Sequence, residues 1–83
     1  MCSELKNVII PENVTSIGNS AFYLCANLTG ITIPSSVTSI EDNAFTYCPK
    51  LKNVIYTGTK ADWNGIKIGS GNEYLKAAEI QFK

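Results

Sequence analysis

Three cysteines, one adjacent pair of carboxylates and a loose group of glycines are the residues of this 83-residue chain whose types invite a chemical reading. Cys2, Cys25 and Cys48 stand 23 residues apart. Zinc sites draw their cysteines from closely spaced pairs, often completed by histidine, and this chain has no histidine. Three is also an odd number for a disulfide framework. The expectation is a ladder of small buried hydrophobes, a role that suits free cysteine. Cys2, at the open end, is then the most exposed and could make an adventitious intermolecular bridge. Without histidine, Ser-His and Cys-His nucleophile arrangements cannot be built. Glu41 and Asp42 are neighbours that should point to different sides of a solvated turn, not face each other across a cleft. Gly65, Gly69 and Gly71 precede no basic residue of the phosphate-loop kind and read as a turn. Asn13 and Asn27 head Asn-x-Thr sequons, which matter only in a eukaryotic secretory setting. No catalysis, metal or cofactor is expected.

The bulk properties narrow the classes further. Apolar residues make up 45% of the chain and charged residues 17%, spread along its length, which favours a folded core over disorder. Seven lysines balance seven acids and there is no arginine, so the clustered positive charge that binds phosphate is missing and nucleic acid is not an expected partner. The charge is uneven, with Glu4, Glu12, Glu41 and Asp42 against Lys6 in residues 1–45, and six lysines against Asp62, Glu73 and Glu79 thereafter. This allows head-to-tail attraction between copies, although exposed charges are weakly coupled and screened. No basic stretch followed by an apolar run opens the chain, and no apolar segment approaches the roughly 20 residues that span a bilayer. Neither a signal peptide nor membrane insertion is expected.

What must position these residues is an internal repeat. Sliding the chain by 23 aligns Leu5 with Leu28 and Leu51, Val8 with Ile31 and Val54, and Ile10 with Ile33 and Tyr56. Residues 2–24 and 25–47 share ten identities, including Pro11 and Pro34, the Val-Thr-Ser-Ile segment, and Phe22 and Phe45. The segments NVII, GITI and NVIY alternate and are rich in β-branched residues, so each is expected to form a half-buried strand. Proline ends it, since that residue cannot donate to a ladder. Val-Thr-Ser-Ile should form a shorter strand or turn on the opposite side, and Asn or Ser should cap one helical turn that carries the Phe. Such laps stack with strands parallel and equivalent side chains about 4.8 Å apart. The predicted inward columns are Leu5/Leu28/Leu51, Val8/Ile31/Val54, Ile10/Ile33/Tyr56 and Phe22/Phe45.

The units Cys-x-x-Leu-x-x-Val-x-Ile-Pro, Val-Thr-Ser-Ile and Ala-Phe-x-x-Cys over residues 2–56 resemble the BspA-like class of leucine-rich repeats. The tail, YTGTKADWNGIKIGSGNEYLKAAEIQF, is similar to segments that close such arrays. The resemblance implies an α/β or mainly β leucine-rich repeat solenoid, horseshoe-like or flat, of 23-residue laps with short parallel strands, brief helical turns and a C-terminal cap. It also implies a place on the bacterial cell surface or in secreted protein, a role in adhesion and host contact, and no reaction. Glu41-Asp42 departs from the pattern, as does everything after Tyr56.

A single domain spanning 1–83 is therefore expected, with full repeats at 2–24 and 25–47, a partial repeat at 48–56 and a cap at 57–83. Within the cap, Trp63 lies 23 residues after Ile40 and is placed in the same inward column. Ile66 to Ile68 and Ala78 to Phe82 read as strands, separated by a Gly69-Ser70-Gly71-Asn72 turn and a helical turn at Glu73 to Ala77. The edge from Leu5 to Ile10 has no lid and should be covered by a tag, upstream repeats or another copy, which gives a route to self-association.

If Val8 and Ile10 point inward, Asn7 and Ile9 point out, as do Gly30 with Thr32 and Asn53 with Ile55. The predicted protein-binding ribbon is Asn7, Ile9, Thr32, Asn53 and Ile55; the alternative is that Ile and Thr merely favour strands. Tyr23 and Tyr47, with Leu24 and Thr46, form a second candidate. These features point to a non-catalytic protein-interaction module, as in a bacterial surface adhesin. The other class is a small free-standing binder or inhibitor acting on one partner protein.

Overall fold

A computed structural model describes residues 5–83. Seven short strands and two short helices follow one another as β1 (Asn7–Ile9), β2 (Ser16–Ile17), β3 (Gly30–Ile33), β4 (Ser39–Ile40), β5 (Asn53–Tyr56), α1 (Lys60–Asn64), β6 (Lys67–Ile68), α2 (Glu73–Ala77) and β7 (Glu79–Phe82). They form two parallel sheets, ordered β1-β3-β5-β7 and β2-β4-β6. Asn7 pairs with Gly30 and Gly30 with Asn53, and on the other sheet Ser16 pairs with Ser39. The 23-residue period of the sequence is thus the pairing register of the sheets.

The first two laps turn the same way for the same reasons. After β1 and β3 the carbonyls of Pro11 and Pro34 accept from the amides of Val14 and Val37, at 3.2 and 3.1 Å, closing tight turns. The Ala-Phe segments are not helical as expected. They are consecutive turns that pivot on left-handed residues, Ser20 and Leu24 in one lap and Asn43 and Tyr47 in the next, all with φ near 60°. A helix would advance along its own axis, whereas two left-handed pivots return the chain to the next lap. The Phe side chains still face inward: Phe22 and Phe45 stack with centroids 5.2 Å apart and planes 11° from parallel.

The core runs along the stack through Ile10, Ile17, Leu28, Ile31, Ile33, Ile40, Phe45, Leu51, Val54 and Tyr56. The predicted columns hold, except that Leu5, in the terminal lap, is 41% exposed. The cysteine ladder is corrected at one rung. Cys25 is disulfide-bonded, whereas Cys48 keeps a free, buried thiol. Stacking at strand spacing brings equivalent side chains within the range over which cysteines can bond, so a ladder of this kind need not stay reduced. The expectation for Cys2 lies outside the described residues. Burial pushes the Cys48 thiol pKa upward, and its Sγ lies 3.0 Å from the Phe22 carbonyl oxygen that accepts its hydrogen.

The segment after Tyr56 is more than a lid, because it makes one further lap. β7 continues the four-stranded sheet, pairing Asn53 with Glu79, and β6 continues the other, pairing Ser39 with Lys67. These offsets are 26 and 28 residues, so the extra length is absorbed by α1 in place of the proline turn. Thr59 caps α1, its Oγ1 accepting the Asp62 amide at 3.1 Å. Trp63 consequently does not enter the Ile40 column, since Ile68 pairs with Ile40 instead. Its ring packs edge-on against Tyr56, with centroids 5.2 Å apart. The predicted turn and helical turn at 69–77 are present, with Gly71 at φ +81° and α2 at Glu73–Ala77.

Candidate binding surface

The outward faces of β1, β3, β5 and β7 form a shallow groove of about 440 Å³. Parallel pairing puts Ile9, Thr32, Ile55 and Gln81 in one row across the sheet, and Asn7, Gly30, Asn53 and Glu79 in the neighbouring row. Because successive residues of a strand face opposite ways, the residues between these rows, Val8, Ile31 and Val54, belong to the core or pack against it. The alternation read in the sequence is thereby turned into a row in which Ile9 and Ile55 alternate with Thr32 and Gln81, with the amides of Asn7 and Asn53 beside it.

All five predicted ribbon residues, Asn7, Ile9, Thr32, Asn53 and Ile55, line this groove. Ile9 is the most prominent, 79% exposed, while Thr32 and Ile55 are half-buried between their neighbours. Gly30 was expected on the exposed ribbon and is buried. A Cβ at that position would lie 2.7 Å from Asn7 Oδ1, so the missing side chain is the space into which the Asn7 amide folds. The requirement for glycine here is close approach, not backbone conformation.

Tyr23 and Tyr47 do not line the groove. They form their own pair beside the left-handed turns, with ring centroids 5.9 Å apart and planes at 69°, both substantially exposed. Leu24 and Thr46 lie in the same turns, where the Leu24 amide donates to the Thr46 carbonyl at 3.0 Å. Two candidate surfaces therefore exist, one on the sheet and one on the turns.

Sequence reasoning missed Gln81, which completes the groove from β7. Its place follows only once the 26-residue offset is known, and nothing periodic announces that offset. Glu41 and Asp42 lie exposed, as expected of a solvated turn. Asp42 Oδ1 accepts the Ser70 amide at 2.9 Å, tying that turn to the cap. Among the described residues, no group of three or more His, Cys, Asp or Glu side chains is placed to hold a metal ion, and no helix is long and apolar enough to cross a membrane.

The family described as BspA type leucine rich repeat region (6 copies) matches residues 1–70. A crystal structure of a leucine rich cell surface protein from Faecalibacterium prausnitzii A2-165 is similar at a TM-score of 0.77 and 45% sequence identity, over 80% of this chain and 17% of that one. The chain therefore spans less than a fifth of the length of that protein. No curated protein matches.

Proposed function

The chain belongs to the BspA-type leucine-rich repeat family, and from that membership we propose that it is a non-catalytic protein-interaction module of a bacterial cell-surface adhesin, gripping its partner through the groove across β1, β3, β5 and β7. The observation that carries this proposal is convergence: residues from four laps, Asn7, Ile9, Thr32, Asn53, Ile55 and Gln81, line one surface. Two exposed or half-exposed isoleucines among polar side chains have the anatomy of a protein interface, in which apolar contacts are flanked by groups that fix register. The ladder beneath holds these side chains in place before any partner arrives, which lowers the entropy cost of binding. Tyr23 and Tyr47 supply a second contact of the amphipathic kind favoured at interfaces.

A surface location extends to this chain the description of the F. prausnitzii protein as a cell surface protein. The absence of catalysis is supported by the lack of any histidine in the chain and by the structural engagement of Asp42. The test is binding of the purified chain to cultured epithelial cells. The double variant Ile9→Lys, Ile55→Lys changes side chains with exposed or half-exposed surface and should retain the far-ultraviolet circular dichroism of the parent. It should lose about tenfold or more in affinity, as expected when the centre of an interface is charged. Unchanged binding by this folded variant would rule out the sheet groove, and loss with Tyr23→Ala, Tyr47→Ala instead would move the interface to the turns.

A further inference from the structure

A second groove, of about 370 Å³, lies between α1 and the turn that follows β3, and it shares no residue with the groove on the sheet. Val37 and Ile66, both buried, give it an apolar floor, and Ser35, Thr38, Asp62 and Tyr56 give it polar groups. Tyr56 is the unusual member. It is only 1% exposed, its ring held edge-on by Trp63 at 5.2 Å and by Phe82 at 6.3 Å. No described residue hydrogen-bonds its hydroxyl, yet no fully enclosed side-chain oxygen among the described residues lacks a partner. The hydroxyl therefore keeps a little access to solvent, and Tyr56 is one of the residues that line the groove.

Gly58 makes room for the ring. A Cβ there would lie 2.6 Å from Tyr56 Cε2 and 3.0 Å from Cζ, so the hydroxyl-bearing end of the ring occupies the space the glycine leaves. Burial, and then the negative charge of Asp62, both raise the pKa of the phenol, which stays protonated and can donate. A donor desolvated on every other side and facing a groove has its hydrogen-bonding capacity reserved for whatever enters.

We propose that this groove binds a neutral polyhydroxylated ligand of monosaccharide size, whose hydroxyls donate to the Asp62 carboxylate and accept from Tyr56, while a carbon face lies on Val37 and Ile66. The donor and acceptor inventory selects this class. An ammonium group would satisfy Asp62 but has no lone pair for Tyr56, and a phosphate would accept from Tyr56 but be repelled by Asp62. A sugar hydroxyl does both, and the Ser35 and Thr38 hydroxyls adapt to either role. The volume lies at the small end of the range for ligand sites and has room for one sugar ring.

The test is a nuclear magnetic resonance titration of the isotope-labelled chain with methyl α-D-glucopyranoside and methyl β-D-galactopyranoside, with methylammonium chloride and sodium phosphate as ionic controls. At least one glycoside should give saturable shifts at the amides of Ser35, Thr38, Asp62 and Gly65 and at the Trp63 indole. Tyr56→Phe, which keeps the ring and its aromatic neighbours, and Asp62→Asn, at an exposed position, should each weaken that response about tenfold, as loss of one good hydrogen bond does. The proposal fails if neither glycoside saturates, if the shifts survive both substitutions unchanged, or if an ionic control binds more tightly than the sugars.

Discussion

The amides of Phe22 and Phe45 occupy equivalent positions one lap apart, and they find different acceptors. Phe22 donates to the Ala44 carbonyl of the following lap at 2.7 Å, whereas Phe45 donates to the side-chain Oδ1 of Asn72 at 2.9 Å. Asn72 is fully buried, and its Nδ2 donates to the carbonyls of Glu41 and Gly69 at 3.1 and 3.0 Å. A single amide side chain thus stands in for the backbone that a further regular lap would supply. It satisfies groups that would otherwise be buried without partners. Replacing it strands one donor and two acceptors, so Asn72→Ala should cost about 3 kcal/mol in urea unfolding, with exposed Asn64→Ala within about 0.5 kcal/mol of the parent. Equal midpoints for the two variants would show that the stitch contributes nothing.

At the scale of elements, the stack is a set of strands and turns whose side chains lean on those of the adjoining laps. Phe45 lies inside this arrangement, fully buried and stacked on Phe22, while Phe22, one lap earlier, is only half-buried. Phe45→Ala should therefore cost about 3 to 5 kcal/mol, the usual penalty of emptying an aromatic site in a core. Phe22→Ala should cost about half as much, since less of its surface leaves water on folding. Denaturant midpoints would decide this, and a larger loss at Phe22 would contradict the gradient of burial from the terminal lap inward. The same gradient leaves Leu5 exposed although Leu28 and Leu51 in its column are buried.

For the molecule as a whole, two parallel sheets and one apolar spine run through the 79 described residues. A domain of this size buries only about 60% of its unfolded surface, so few laps can be spared. The cap contributes Trp63, Ile66 and Leu75 to the core and covers β5 and β4 with β7 and β6. A chain ending at Tyr56 loses these and exposes the edge of β5, together with Val54 and Tyr56. It should show no cooperative thermal transition and should bind a hydrophobic dye, as expected of a repeat array stripped of its terminal lap. A sharp two-state transition in this truncation would show that the first laps fold without the cap.

Where the chain repeats, its sequence alone determined the architecture. A 23-residue period between β-branched strands leaves parallel stacking as the way to bury each lap, so the columns through Ile31 and Val54, Ile33 and Tyr56, and Phe22 and Phe45 could be named in advance. The outward ribbon followed from the same alternation, and Asn7, Ile9, Thr32, Asn53 and Ile55 do share a groove. The left-handed turns were misread as helical because a cap residue and a lone Phe carry no sign of φ at Leu24 or Tyr47. Only the tertiary structure decided the positions of Gln81, Asn72, Trp63 and the Tyr56 hydroxyl, along with the bonded state of Cys25. The physical reason is common to the first four. After Tyr56 the register depends on how many residues α1 and the turns absorb, a balance of packing between distant segments that no local spacing encodes.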